Sequence, residues 1–340
     1  MKVTCFCTLD TGLLAIKLAI NLGVKVEKII GLNPKSVSDF DKVSGFVDIS
    51  IFCKKNKLDF QLVDDYSLKS IDPNFLLKKT DLIWVLGWQR LLPKSFINFS
   101  KIATIGAHGS CDGILKGRGR SPQNWALLMG KRKFKISLFK ITEGIDNGNV
   151  IMTKDIKYEK FDTIFHSYLK VGLKIANGIH KITSNPSLIT RAKKQNGKSE
   201  YFPKRMPEDG FIDWSMSAVD IFNQIKSLSN PYPNARSIIN NQVMLINKAS
   251  YSENSLDHVC GKVLQISLNG EILVSCGKGT LIIEEYKIKK KSLIYVGLLF
   301  KSVSMKKTVK KILNRFKQDF PQKNINKSLL NFWKQRGLLN

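Results

Sequence analysis

Five short apolar runs divide the first third of the chain, at residues 3–7, 26–31, 60–63, 82–86 and 103–105. Each is too short for a buried helix and is bounded by polar residues, so each reads as a strand. Helical spacing of apolar residues fills the gaps at 13–22, 47–55 and 72–78. Strands alternating with helices must cross over to parallel neighbours, which leaves few architectures open. The pattern predicts an α/β fold built on a Rossmann-like open, mostly parallel sheet. Ligands of such sheets bind beyond the carboxyl ends of the strands.

The last of these runs leads into the densest chemistry of the sequence. The chain has four histidines, and His108 is bracketed by Gly106 and Gly109 at the exit of the expected strand. Histidine is the side chain whose charge changes near neutral pH, and flanking glycines let backbone approach a ligand closely. Arg118 and Arg120 precede Ser121-Pro122, which reads as a helix start with Ser as N-cap and Pro in the first turn. That helix would carry Asn124 and Trp125. A strand pair is expected at 135–141 and 149–156, flanking a turn at Asp146-Asn147-Gly148.

These residues resemble the signature of the folate-dependent formyltransferases. That signature runs roughly Asn-x-His-(Pro/Gly)-Ser-Leu-Leu-Pro-x-x-Arg-Gly, then a Pro, often Asn-Trp, and later Asp-x-Gly. His108-Gly109-Ser110, Arg118-Gly119, Pro122, Asn124-Trp125 and Asp146-Asn147-Gly148 match it. Residues 81–93 are similar to the family's folate-loop strand, and 207–214 and 230–233 to its linker and second domain, so the resemblance covers residues 1–286.

The resemblance implies transfer of a formyl group from 10-formyltetrahydrofolate to a primary amine, with His108 and Asp146 catalytic. It implies that Gly87, Trp88, Gln89, Arg90, Leu91 and Leu92 hold the donor, together with Ile145 and Asp146. Trp88 would form a wall for the pterin. Gly106, Ser110, Arg118 and Asn124 would support the centre. Two departures stand out. The family's Asn, whose amide helps hold the formyl oxygen, is Gly106 here, and the turn after the His is the longer 110–115 segment without its proline. Losing one such donor costs about 10²–10³ in rate. A non-catalytic folate- or nucleotide-binding homologue is therefore the alternative from another class.

Polar, Lys-rich residues 183–208 read as a linker, after a helix at 161–182 that covers the sheet. A helix at 217–228 and alternating segments at 242–246, 262–267, 271–276 and 280–286 predict a small OB-like β-barrel. The expected organisation is a catalytic domain at 1–185, a linker at 186–212, an OB-like domain at 213–286 and a Lys-rich tail at 287–340. In the tail, Val303, Val309, Ile312, Leu313 and Phe316 alternate with lysines, which predicts a basic helical tail packed on the body.

The net charge is +28, and residues 287–340 hold fifteen Lys or Arg against a single acid, Asp319. Half of the excess therefore lies beyond the part that resembles the family. Charge of this kind argues for solubility and nonspecific attraction rather than a specific site. The sequence has no eighteen-residue apolar run and no basic region before its first apolar segment, so no stable membrane insertion and no signal peptide are expected. Six scattered cysteines lack zinc-type spacing, Cys5 and Cys7 read as core thiols, and a cytoplasmic protein without a metal is expected.

Family members use two main acceptors, methionyl-initiator tRNA and nucleotide-linked amino sugars. The tRNA enzymes carry a basic inserted loop, whereas residues 33–44 here hold two lysines and two aspartates, a poor phosphate clamp. Residues 119–125 and 208–214 are closer to the amino-sugar enzymes. A small-molecule amine on a nucleotide-linked sugar is the expected acceptor, with methionyl-tRNA the alternative. A homodimer is left open.

Overall fold

The computed structural model describes residues 1–36, 45–78, 80–289 and 294–339. The 37–44 part of the weakly charged segment weighed above lies outside them. The chain divides into two compact units, each discontinuous in sequence. Residues 1–118, 133–157 and 168–198 form the first, and 119–132, 158–167 and 199–340 the second.

A seven-stranded sheet organises the first unit. Its strands are β1 (Val3–Cys7), β2 (Val26–Leu32), β3 (Asp59–Val63), β4 (Leu82–Leu86), β5 (Ala103–Ser110), β6 (Lys133–Lys140) and β7 (Val150–Lys157). They lie in the order β3-β2-β1-β4-β5-β6-β7. The first five are parallel, and β6 and β7 run antiparallel at one edge. Every residue of β1 and β4 is buried, as both faces of a central parallel strand must be.

Helices α1 (Asp10–Asn21), α2 (Ile49–Lys55) and α3 (Ile164–Ser184) follow the expected rhythm. On α3, Val171, Ile175, Ile179 and Ile182 are buried, the stripe expected of a helix laid on a sheet. It presses onto β6 closely enough that a Cβ at Gly178 would lie 2.1 Å from Leu138 Cδ1.

Strand β5 differs from expectation in a way that matters for the site. It does not end at residue 105 but continues to Ser110. Its start pairs in parallel with β4 up to Val85–Gly106. Beyond that point β6 carries it, with His108 opposite Ser137. The antiparallel ladder holds a glycine-rich stretch extended that pattern alone marks as a loop. His108 therefore stands on a strand that overshoots its parallel neighbour.

In the second unit, β8 (Ala235–Ile239), β9 (Gln242–Ser252), β10 (Val263–Ile266), β11 (Ile272–Ser275) and β12 (Thr280–Lys287) form an antiparallel sheet. Its order is β8-β9-β12-β11-β10. The segment 298–301 bridges both edges, pairing Leu299 with Lys262 and Lys301 with Ile238. Leu298 and Phe300 join the core of Trp214, Ile225, Ile246 and Val263. The core of this antiparallel sheet thus draws on residues beyond 287.

Helix α4 (Ala218–Leu228) lies on this sheet's core side, and α5 (Met305–Asp319) buries Met305, Val309, Ile312 and Phe316 while Lys306, Lys307, Lys310 and Lys311 face solvent. In α6 (Lys327–Gln335), Trp333 packs edge-on against Trp125 with ring centroids 5.8 Å apart.

The expected linker is also structured. The short strand Glu200–Phe202 is buried and pairs with Asn324–Ile325. No helix among the described residues is long and apolar enough to cross a membrane.

Candidate active site

His108 and Asp146 meet in the first unit. Asp146 Oδ2 lies 3.3 Å from His108 Nδ1, with the side chains 20% and 12% exposed. On the far side of the ring, Nε2 lies 2.7 Å from the Gly117 carbonyl oxygen. Both ring nitrogens thus face acceptors, and the ring plane is fixed from two directions. Strand alternation puts Gly106, His108 and Ser110 on one face of β5. That face is opposite the one where α3 meets Leu138, since Leu138 pairs with Ala107.

The turn that contacts His108 Nε2 is closely fitted. A Cβ on Gly117 would lie 1.7 Å from Ser110 Oγ, so only glycine allows that approach. Ser110 is fully buried, and its Oγ accepts from the Asp112 amide at 3.1 Å. Its hydroxyl braces the 110–117 turn.

Asp146 sits between β6 and β7 in a loop tied by its own side chains. Thr142 Oγ1 donates to Asn147 Oδ1 at 2.8 Å, and Asn147 Nδ2 donates to the Glu143 carbonyl at 3.0 Å. Asp146 itself takes φ +50°, the left-handed region that Asp and Asn tolerate better than most residues. Outside this loop, Gln195 Nε2 donates to the Asp146 and Gly148 carbonyls, each at 2.8 Å. Gln195 Oε1 accepts from Arg118 Nη2 at 2.9 Å.

Sequence reasoning missed Gln195, which lies in a Lys-rich stretch with no periodicity to mark it. Paired hydrogen bonds between Val150 and Lys193, each 2.8 Å, hold that stretch beside β7.

The remaining expected residues are placed as follows. Gly106 lies opposite Phe139, and a Cβ there would be tight, at 3.1 Å from Ile141 Cδ1 and 3.3 Å from Phe139 Cζ. The loop 87–92 follows β4. Within it the Gly87 carbonyl accepts from Thr8 Oγ1 at 2.6 Å, and the Gln89 amide donates to the Tyr66 hydroxyl at 2.9 Å. Arg90 lies 5.3 Å over the Tyr66 ring, Leu91 is 64% exposed and Leu92 is buried.

Trp88 is buried edge-on against Phe6 and Tyr66, at 5.4 and 4.9 Å between centroids, and its Nε1 is buried without a hydrogen-bond partner among the described residues. Ile145 is half-buried. An exposed ion pair of 3.1 Å joins Lys94, just past the 87–92 loop, to Glu143 of the Asp146 loop. Asn124 belongs to the second unit, where its amide donates to the Ser227 carbonyl at 2.6 Å.

Chemically, the arrangement is an imidazole oriented by a carboxylate at the end of a parallel sheet. Such a pair can accept, hold and return a proton.

Two family descriptions match this chain, "Formyl transferase" over residues 33–172 and "Formyl transferase, C-terminal domain" over residues 204–303. The bifunctional polymyxin resistance protein ArnA of Wigglesworthia glossinidia brevipalpis is 31% identical over 287 residues, 83% of this chain and 42% of that protein. The methionyl-tRNA formyltransferase of Clostridium novyi is 32% identical over 222 residues, 64% of this chain and 68% of that enzyme. This chain therefore spans under half of the first relative and about two thirds of the second. Among solved structures, the N-formyltransferase of Helicobacter canadensis, in complex with folinic acid and dTDP-3-aminofucose, superposes with a TM-score of 0.57. It is 17% identical, with 83% of this chain and 98% of that one covered.

Proposed function

The chain belongs to the formyl transferase family, and from that premise we propose that His108 and Asp146 move a formyl group from 10-formyltetrahydrofolate to a primary amine of a nucleotide-linked sugar. The observation that carries this reading is the His108 ring, fixed between the Asp146 carboxylate and the Gly117 carbonyl at 3.3 and 2.7 Å.

The donor supplies the formyl carbon. Attack by an amine on that carbon builds a tetrahedral oxyanion, so the site must take a proton from nitrogen and stabilise the oxygen. His108 accepts the proton, and Asp146 orients the ring beside the imidazolium that forms. As the oxyanion collapses, the bond from the formyl carbon to the donor nitrogen breaks while His108 returns the proton to that leaving nitrogen, releasing tetrahydrofolate. Proton transfer at Nε2 requires the Gly117 carbonyl to yield that nitrogen, so the 110–117 turn lies where the acceptor engages. Donor binding falls to the 87–92 loop and to Ile145 and Asp146. The exposed Leu91 and half-buried Ile145 fit a flat, partly apolar group, while buried Trp88 supports the loop from beneath.

The sugar reading rests on the low charge of residues 33–44 and on the 119–125 and 208–214 sequences. Two observations support the alternative, methionyl-tRNA. They are the 32% identity to a methionyl-tRNA formyltransferase and the solvent-facing lysines of α5. The two acceptors separate cleanly in one assay. Purified protein with 10-formyltetrahydrofolate is offered amino-sugar nucleotides and initiator methionyl-tRNA in parallel at several salt concentrations. Sugar formylation with little salt dependence is expected. Formylation of tRNA alone, with a steep loss as salt rises, would replace the sugar reading with the other.

A further inference from the structure

We propose that Gln195 is a positioning residue for the formyl-transfer centre, acting through the backbone of the Asp146 turn. The inference rests on the functional reading above and extends it to a residue outside the signature. A primary amide has two N–H donors and one carbonyl acceptor. Both donors of Gln195 go to the turn, to the carbonyls of Asp146 and Gly148 at 2.8 Å each. Its oxygen faces the Arg118 guanidinium at 2.9 Å. A flipped amide would point its oxygen at two carbonyls and its NH₂ at a cation, so the orientation is unambiguous.

The clamp holds the residue that needs it. Asp146 is a non-glycine residue at φ +50°, a conformation that persists only when its surroundings impose it. Pinning the carbonyls of Asp146 and Gly148 fixes the 146–147 and 148–149 peptide planes, which flank the Asn147-Gly148 pair. The Asp146 side chain then has one approach to His108. The clamp's own base is firm, since Lys193 exchanges two hydrogen bonds of 2.8 Å with Val150. The run Arg118, Gln195, Asp146, His108 thus connects the signature's arginine to the imidazole. It gives the Arg118-Gly119 motif a task other than touching substrate.

Gln195→Glu is the sharpest test, because it keeps size and shape but sets a carboxylate oxygen against the two carbonyls. Formyl transfer is measured for wild type, Gln195→Glu, Gln195→Ala, Arg118→Lys, Asp146→Asn and the Gln195→Glu/Asp146→Asn double variant. The expected loss in kcat for Gln195→Glu is about 10- to 100-fold, the scale of a misplaced catalytic group, with little change in the acceptor KM. Arg118→Lys should show a smaller loss of the same kind. In the double variant the losses should not multiply, because Asp146 is already displaced when the clamp is gone.

Full kcat in all the Gln195 and Arg118 variants, or losses that multiply with Asp146→Asn, would overturn the proposal. Should Gln195→Ala not fold, Gln195→Glu and Arg118→Lys carry the test. A His108→Ala control separates the two claims, since undiminished turnover there contradicts the catalytic reading itself. In that event the His108 ring ¹⁵N resonances still decide the clamp. They must move in Gln195→Glu as they move in Asp146→Asn, and unmoved resonances would overturn it.

Discussion

A Cβ at Gly106 would lie 3.1 Å from both Cδ1 and Cγ1 of Ile141, so a side chain there requires Ile141 to give by a few tenths of an ångström. Gly106→Asn alone is expected to cost stability without raising the rate, because Ile141 and Phe139 must give way. Gly106→Asn combined with Ile141→Ala makes room and should raise kcat above that of Ile141→Ala by up to about 10²-fold, the scale of one recovered oxyanion donor. Steady-state kinetics and thermal melting of the four proteins test this. A rate gain from Gly106→Asn alone would contradict the packing argument.

Gly117→Ala would set a methyl group 1.7 Å from Ser110 Oγ. The 110–117 turn must then move, taking with it the carbonyl that faces His108 Nε2. A lower Tm and a lower kcat are expected together. Gly117→Ala combined with Ser110→Gly should recover part of both. Activity unchanged in Gly117→Ala would show that the turn is slack.

How much of this site is legible in the sequence follows from the range of the forces involved. His108 and Asp146 lie in local patterns, a strand exit and an Asp-Asn-Gly turn, and the open parallel sheet follows from alternating apolar runs. Gln195 and Ile141 act through contacts made only once distant segments pair. Nothing in the Lys-rich run around Gln195 distinguishes it from a solvated linker. The burial of Trp88 against Phe6 and Tyr66 is likewise set by residues far apart in the chain. Leu298 and Phe300 join the core of the antiparallel sheet through long-range bridges that local spacing does not announce.

Lys226 gives a pH signature in the second unit. Burial, with Arg132 nearby, pushes its pKa down to about 8, against about 10.4 for an unfolded lysine. Between these values the unfolded chain binds more protons than the folded one, so this group makes stability rise with pH across that window. Its ammonium donates to the Lys160 carbonyl at 3.1 Å. Replacing it by methionine removes the cost of burying the charge. Relative to wild type, Lys226→Met should be most stabilised below pH 8 and lose that advantage by pH 10.5. Melting curves across pH 6–11, with a difference that does not vary with pH, would contradict this.

Thiol chemistry probes both cores. Burial pushes the Cys7 and Cys276 thiols up to about 12 and the Cys53 thiol up to about 11. Because the thiolate is the nucleophile, an alkylating agent at pH 8 should label half-buried Cys111 and Cys260 in the native protein. Cys5, Cys7, Cys53 and Cys276 should react only after unfolding. Mass spectrometry after brief labelling reads the sites directly, and early modification of Cys7 would place β1 outside the core.

The central claim is that the imidazole of His108, oriented by Asp146, carries formyl transfer to a sugar amine. It is tested most directly by single-turnover formylation of an amino-sugar nucleotide, with wild type, His108→Ala and Asp146→Asn compared at saturating 10-formyltetrahydrofolate. Product from wild type and a loss of at least about 10²-fold in both variants are expected, the scale of a positioned acid–base group. Product formed by His108→Ala at the wild-type rate would contradict it.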